Sequence, residues 1–179
     1  MVRPPVTFTT DRLVLSVPVP GDALEIYETY ASDPEVTRYL SWLPHRSLQD
    51  TAEFLAIATF SWDQGDAFAW TIRGKESRSL LGMIEARVTG TRIEIGYVLA
   101  KRYWGQGYMT EAVSAITRWA LRQSTIFRVW AVCDLENTGS ARVLEKAGMI
   151  REGILRRWLL LPNRSSVPRD CYCYAKVRE

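Results

Sequence analysis

The sequence predicts an α/β fold of the α+β kind, with a mixed, mostly antiparallel sheet of about seven strands flanked by about four helices. Three observations predict it. The chain has 179 residues, the length of one domain, read here as spanning 1–179 with a core over 10–177. Hydrophobic periodicity changes along the chain in the order strand, helices, three strands, helix, strand, helix, two strands. The three central strand runs are joined by turn-rich segments that read as hairpins, which makes them an antiparallel meander.

Asp11–Pro18 alternates Leu13, Leu15 and Val17 and reads as a strand. Gly21–Ala31 places Leu24, Tyr27 and Tyr30 at helical spacing. Asp33-Pro34 opens a second short helical segment, with proline suited to the first turn. Ser47 is placed to cap a helix running through Ala52, Leu55 and Ala58 to Trp62, with Gly65 ending it. The meander comprises Phe68–Arg73, Leu80–Val88 and Arg92–Leu99, separated by GKESRS and Thr89-Gly90-Thr91. From Gly107 to Arg122 the apolar residues Met109, Ala112, Val113, Ile116, Trp119 and Ala120 make an amphipathic helix. Phe127–Cys133 is an apolar, β-branched run, a buried strand. Asn137 caps a helix through Ala141, Leu144 and Ala147, closed by Gly148. Strand-like runs at Gly153–Leu161 and Asp170–Val177 complete the pattern. Trp119 and Trp130 read as core.

Composition excludes several classes. At 47% hydrophobic and 24% charged, the chain has material for a core, which excludes wholesale disorder. A formal charge of +3 suits an anionic ligand but is too small to imply nucleic acid. Three cysteines, Cys133, Cys171 and Cys173, form no disulfide framework and suggest a reducing compartment. One histidine and three cysteines leave little for a zinc site, so no metal is expected. No stretch approaches a membrane span, and the N-terminal residues do not read as a signal peptide. A soluble cytoplasmic protein with no membrane and no nucleic-acid partner is expected, as monomer or homodimer.

The informative stretch is RIEIGYVLAKRYWGQGYMTEAV, Arg92–Val113: a strand, a loop holding Gly105 and Gly107, and a helix. Such a loop exposes consecutive backbone N–H groups, and the helix N-terminus adds roughly half a positive charge. Phosphate is the natural ligand, with Lys101 and Arg102 as counter-charges. A Walker loop is excluded because no lysine follows Gly107. A dinucleotide loop fits poorly. Its third glycine is Thr110, and Lys101–Trp104 separate the strand from the glycines, although Asp134 lies at a suitable distance for a ribose. The third pattern, Arg/Gln-x-x-Gly-x-Gly/Ala, is met by Arg102, Gly105 and Gly107.

On these residues the sequence resembles the GNAT acetyltransferase superfamily, and within it the Rim-type ribosomal-protein N-terminal acetyltransferase branch. The resemblance runs from Thr10-Asp11-Arg12-Leu13 to the Asp170–Val177 strand. Its strongest pieces are Glu94-Ile95-Gly96-Tyr97, then RYWGQGYMTEA, then Asn137-x-x-Ser140-x-x-Val143-Leu144-Glu145-Lys146-x-Gly148-Met149. The resemblance implies acetyl-CoA as co-substrate and a primary-amine acceptor, either a protein N-terminus such as a ribosomal protein's or a small amine. It implies splayed strands near 92–99 and 126–133, with the pantetheine arm along Tyr97, Val98 and Leu99. The pyrophosphate would lie on Arg102, Tyr103, Trp104, Gly105, Gln106 and Gly107 and on the helix start at Tyr108, Met109 and Thr110. Asn137 would bond the pantetheine amides or serve as a plain N-cap, and Ser140 would meet the thiol end. Arg142 and Lys146, at i and i+4, make one basic face that meets the adenosine phosphates or is simply solvated. A non-catalytic acyl-CoA-binding module and a dinucleotide-binding protein remain the alternatives.

Amine acetylation needs a neutral amine and a proton for the leaving thiolate. An α-amine of pKa about 7.7–8.0 needs only a modest base, whereas a lysine amine costs roughly 4–5 kcal/mol to deprotonate near pH 7. Glu94, the one carboxylate in an apolar strand run, is the candidate base; the competing reading is a glutamate on a solvated face. Ser140 is the candidate partner of the thiol sulfur, since Leu144 holds the position where many relatives carry a tyrosine acid; the competing reading is a small residue at a tight helix contact. Trp42 and His45 lie on a segment that approaches the acceptor in that family, and each also reads as a loop anchor. Arg151, Arg156 and Arg157 could face an acidic partner or plain solvent.

Overall fold

The computed structural model describes residues 2–179. Eight strands form one sheet: β1 (Thr7–Thr9), β2 (Leu13–Ser16), β3 (Ala67–Gly74), β4 (Leu80–Thr89), β5 (Arg92–Leu99), β6 (Arg128–Asp134), β7 (Ile150–Leu159) and β8 (Arg169–Val177). Their order is β1-β2-β3-β4-β5-β6-β8-β7. All neighbours are antiparallel except β5 and β6. Among the described residues four α-helices flank the sheet: α1 (Ala23–Ile26), α2 (Leu48–Gln64), α3 (Tyr108–Leu121) and α4 (Thr138–Lys146). Among the described residues, no helix is long and apolar enough to cross a membrane.

The meander β3–β4–β5 and the helix limits follow the periodicity closely. Ser47 accepts from the Asp50 amide at 3.3 Å, and Gly65 closes α2 at φ 82°. The buried residues of α3 are Met109, Ala112, Val113, Ile116, Thr117 and Ala120, the stripe that helical spacing requires. This stripe packs on Ile93, Ile95 and Ala131 in the larger core cluster. The opposite sheet face carries Ala69, Leu80 and Met83 against Ile26, Tyr30, Leu55 and Ala58.

Some expectations fail locally. β1 is an eighth strand, too short for alternation to reveal it. Gly21–Ala31 is not one regular helix. A tight turn over Pro20–Asp22 precedes α1, and a wider turn follows over Tyr27–Ala31, where both the Ser32 amide (3.3 Å) and hydroxyl (2.9 Å) donate to the Tyr27 carbonyl. Asp33-Pro34 starts no α-helix, because the Asp33 carboxylate takes the Glu35 amide at 2.8 Å and turns the chain into a single tight turn at Thr37–Tyr39. Trp119 and Trp130 are only half-buried. The tryptophans of the core are Trp62 and Trp70, packed edge to face at 5.4 Å. Trp130 pairs with Glu94 on a polar part of the sheet, so it lacks the covering that a core position has.

Gly82 sets the spacing of β4 and β5. A Cβ there would lie 2.1 Å from the Val98 carbonyl oxygen and 3.0 Å from the Leu99 Cα, both backbone atoms that cannot rotate away. Gly82→Ala is expected to cost about 2 kcal/mol. For a chain of this size, that is a fall of about 4–8 °C in melting temperature. Gly153→Ala, where nothing lies within 4 Å of the added atom, is the control and should melt as wild type.

Candidate active site

β5 and β6 pair over three positions only, Arg92↔Arg128, Ile93↔Val129 and Glu94↔Trp130. Beyond Glu94 they part, β5 staying with β4 and β6 with β8. The gap is the centre of a cleft of about 460 Å³ lined by Tyr97, Val98 and Leu99 of β5, the start of α3, the start of α4 and the segment 35–40. Parted strands leave backbone donors and acceptors unpaired, and a ligand with amides of its own can satisfy them.

At one end of the cleft the chain leaves β5, makes a tight turn over Lys101–Tyr103 and enters α3. Gly105 (φ 74°) and Gly107 (φ 81°) both take the left-handed conformation that side chains resist. Gly107 caps α3 with no side chain on the first amides, so the helix start is open. The Trp104 indole donates to the Leu99 carbonyl at 2.7 Å and Gln106 to the Arg102 carbonyl at 2.8 Å, which hold the loop shape. Thr10 and Arg12 brace it from below. Glu111 accepts from the Thr10 hydroxyl at 2.6 Å, the Arg12 amide at 2.9 Å and the Arg12 guanidinium at 2.7 Å, while Arg12 also donates to the Gln106 carbonyl at 3.0 Å. Burial of the Glu111 carboxyl opposes its charge, but these donors outweigh it and hold its pKa below the usual carboxylate value.

At the other side of the gap, Asn137 caps α4, its side-chain oxygen accepting from the Ser140 amide at 3.1 Å. The Ser140 and Tyr97 hydroxyls lie 2.7 Å apart. Burial raises the Tyr97 pKa above its ordinary value, with the hydrogen bond to Ser140 opposing. Burial also pushes the neighbouring Cys133 thiol up to about 11, again against the Ser140 hydroxyl. Leu144 is fully buried in the core.

The far wall of the cleft is built from residues that no sequence pattern marks. Glu35, Arg38, Tyr39, Leu40, Glu136, Thr138 and Gly139 all line the cleft. An ion-pair chain ties this wall together. The buried Asp134 carboxylate meets Arg169 at 2.5 Å, Arg169 meets Glu136 at 2.8 Å, and Glu136 meets Arg164. Arg164 stacks over Tyr39, and the Asn163 amide donates to the Thr37 and Trp42 carbonyls at 2.8 and 2.7 Å. The only local hint was the acidic pair Asp134 and Glu136 ahead of Asn137; their partners lie about thirty residues away in sequence.

The chain matches the profile of the acetyltransferase (GNAT) domain over residues 12–150. It belongs to the GNAT acetyltransferase family. An uncharacterized N-acetyltransferase, p20, of Bacillus licheniformis is 30% identical over 155 residues, 84% of this chain and 85% of that protein. The ribosomal protein uS5-alanine N-acetyltransferase of Escherichia coli is 27% identical over 168 residues, 88% of this chain and 85% of its own. Among solved structures, the microcin C7 self-immunity acetyltransferase MccE in complex with acetyl-CoA and AMP superposes with a TM-score of 0.85 at 21% identity, covering 94% of this chain and 93% of that one. The chain is thus an acetyl-CoA-dependent N-acetyltransferase.

In this GNAT enzyme the cleft gathers Tyr97, Val98, Leu99, Trp104, Gly105, Met109, Asn137 and Ser140. Arg102, Tyr103, Gln106, Gly107, Tyr108 and Thr110 surround the same loop, and Arg142 stands exposed on α4. Glu94 does not line the cleft. It is half-buried at the last β5–β6 pair, 3.6 Å from Arg87, which also holds Glu85 at 2.5 Å. Trp42 and His45 do not line it either. His45 bonds Thr51 at 2.7 Å and stacks on Trp42 at 5.0 Å, and burial lowers its pKa against the pull of Asp50. Lys101 is engaged with Glu35 at 2.5 Å. The dinucleotide reading falls: the sheet is a meander with one short parallel contact, and Asp134 is buried against Arg169 rather than open to a ribose.

Burial raises the Asp134 pKa, but the Arg169 hydrogen bond, the Glu136 amide and the nearby guanidinium charges outweigh it, and the net is a lowered value. The stability it confers is therefore present above its unfolded pKa of about 3.9 and lost as pH falls through the folded value. Asp134→Asn is expected to cost roughly 2 kcal/mol at neutral pH, with Arg169 left partly unpaired. The gap between the two melting temperatures should be constant above about pH 5 and narrow progressively as pH falls below about 4.

Proposed function

We propose that residues 1–179 act as one GNAT domain that transfers the acetyl group of acetyl-CoA directly to a protein N-terminal α-amine, of the kind that ribosomal proteins present. The observation that carries this reading is the parting of β5 and β6 after Glu94, beside a helix start with open amides and two left-handed glycines. The relative from Escherichia coli named for ribosomal protein uS5 alanine supports the acceptor class. So does chemistry: an α-amine is already partly neutral near pH 7 and needs little of a base.

In this reading the pyrophosphate sits on the Arg102–Gly107 backbone and the first turn of α3, and Arg142 serves the adenosine phosphates. The pantetheine amides complete the unpaired edge of β5 at Tyr97–Leu99 and meet Asn137. Glu94 takes the amine proton through water from the far end of the split. Ser140 donates to the sulfur as the carbon–sulfur bond breaks and the electron pair stays on the thiolate. All three cysteines are buried, so none is placed to carry an acyl group, and a single displacement follows.

Calorimetry should show acetyl-CoA binding at micromolar concentration and none for NADH; a chain that binds neither overturns the donor site. Gly107→Val, which forces a branched side chain to φ 81° beside Arg12, should weaken that binding about tenfold or more. Glu94→Gln should lower turnover about 100-fold while leaving acetyl-CoA affinity within about twofold. Unchanged turnover removes Glu94 as base. Peptides beginning in alanine or serine should be acetylated on the α-amine and not on lysine; the reverse preference overturns the acceptor class.

A further inference from the structure

Ser140 stands in the first turn of α4 with an unusual set of neighbours. A serine hydroxyl in a helix commonly turns back to the carbonyl four residues earlier. Here that carbonyl, Glu136, already accepts from the Thr138 amide at 2.9 Å and the Tyr39 hydroxyl at 3.5 Å. The Ser140 hydroxyl instead meets Tyr97, which comes from the opposite side of the split, at 2.7 Å. Tyr97 also lies 3.3 Å from the Ser140 carbonyl, so both groups it can donate to belong to the same residue.

We propose that Tyr97 is a positioning residue for acetyl transfer: its hydroxyl donates to Ser140 Oγ and thereby turns the serine proton into the cleft, toward the thiol sulfur of coenzyme A. The proposal rests on the donor role given to Ser140 and adds the residue that makes that role workable. Between a phenol and an aliphatic alcohol, the phenol is the stronger acid and takes the donor side of a shared hydrogen bond. An oxygen that accepts one hydrogen bond donates a stronger one, because the two polarise each other. Burial raises the Tyr97 pKa against the opposing hydrogen bond to Ser140, so the phenol stays protonated and has a hydrogen to donate. Cys133, the other group beside Ser140, stays a neutral thiol at neutral pH, with its pKa at about 11, and competes weakly with a developing thiolate. Leu144 brings no proton to this side of α4.

The step balances without a further reactant. The amine nitrogen bonds the acetyl carbon, the carbon–sulfur bond breaks, and sulfur keeps its electron pair as a thiolate held by the Ser140 O–H. The amine proton leaves toward solvent on the Glu94 side.

The test needs no acceptor. The thiol of bound coenzyme A is titrated by the ultraviolet absorbance of its thiolate, with the desulfo-coenzyme A complex as the blank. The proteins are wild type, Tyr97→Phe, Ser140→Ala and the double variant. Tyr97→Phe should raise the pKa of the bound thiol by about 0.5 unit, a threefold loss of thiolate at a given pH. Ser140→Ala should raise it further, and the double variant should match Ser140→Ala, because both residues act through one proton. A Tyr97→Phe titration that overlays wild type overturns the proposal, as do shifts that add in the double variant. Loss of desulfo-coenzyme A binding by Tyr97→Phe also overturns it, assigning Tyr97 to packing of the cleft. Ser140→Ala overlaying wild type overturns the Ser140 role and this proposal together, whereas a wild-type chain that binds no coenzyme A overturns the donor site itself.

Discussion

The parting of β5 from β6 is the constraint around which this molecule is arranged. A sheet that splits loses ladder hydrogen bonds in its middle, where both faces are otherwise packed. Only three positions of parallel pairing join the two halves directly. The remainder of the connection is made by other means. α3 and α4 pack under the split through Met109, Ala112 and Leu144, and Tyr97 bridges from β5 to the first turn of α4. Gly82 lets β4 approach the Val98 carbonyl closely, so β5 is held firmly on one side while its other edge is free.

Each end of the cleft is braced by a different chemistry. The α3 end depends on Glu111, a carboxylate near the helix start whose charge suits that end of the dipole and which ties down the chain at Thr10 and Arg12. Because that carboxylate is spent on Thr10 and Arg12, the loop amides above it stay open. The α4 end depends on Asp134, Arg169, Glu136 and Arg164, which lock the β6–α4 connection to the β7–β8 loop. Tyr39 and Asn163 then carry the segment 37–42 against the same corner. Electrostatics thus positions the walls, while apolar packing supports the floor.

Much of the fold was legible because it is written in local periodicities. The α3 stripe, the hairpins of the meander, the Ser47 and Asn137 caps and the left-handed glycines 65, 107 and 148 each require only a few consecutive residues to recognise. Where a side chain bonded the nearby backbone in place of the helical pattern, reading by period failed. Ser32 and Asp33 redirect the chain with their own hydrogen bonds and break the expected helices. Trp130 sits among the buried residues of a core strand yet is only half-buried, paired with Glu94 across the sheet, a partner set by register and not by local pattern.

The sequence by itself located a strand, two glycines and a helix start suited to phosphate, a helix capped by Asn137 with Ser140 in its first turn, and a carboxylate at Glu94 in an apolar run, while the acetyl-transfer reading of these groups came from the family resemblance. These are short-range patterns, and their backbone geometry is dictated by residues next to one another. Tertiary structure alone decided which of those groups meet. It put Tyr97 on Ser140 across 43 residues of chain, turned Glu94 to the far end of the split beside Arg87, kept His45 on Thr51, and built the far wall from segments that no local pattern links. The physical reason is that side-chain pairing across a split sheet depends on register and on charge partners far apart in sequence, whereas caps, turns and amphipathic stripes are settled within a turn or two of backbone.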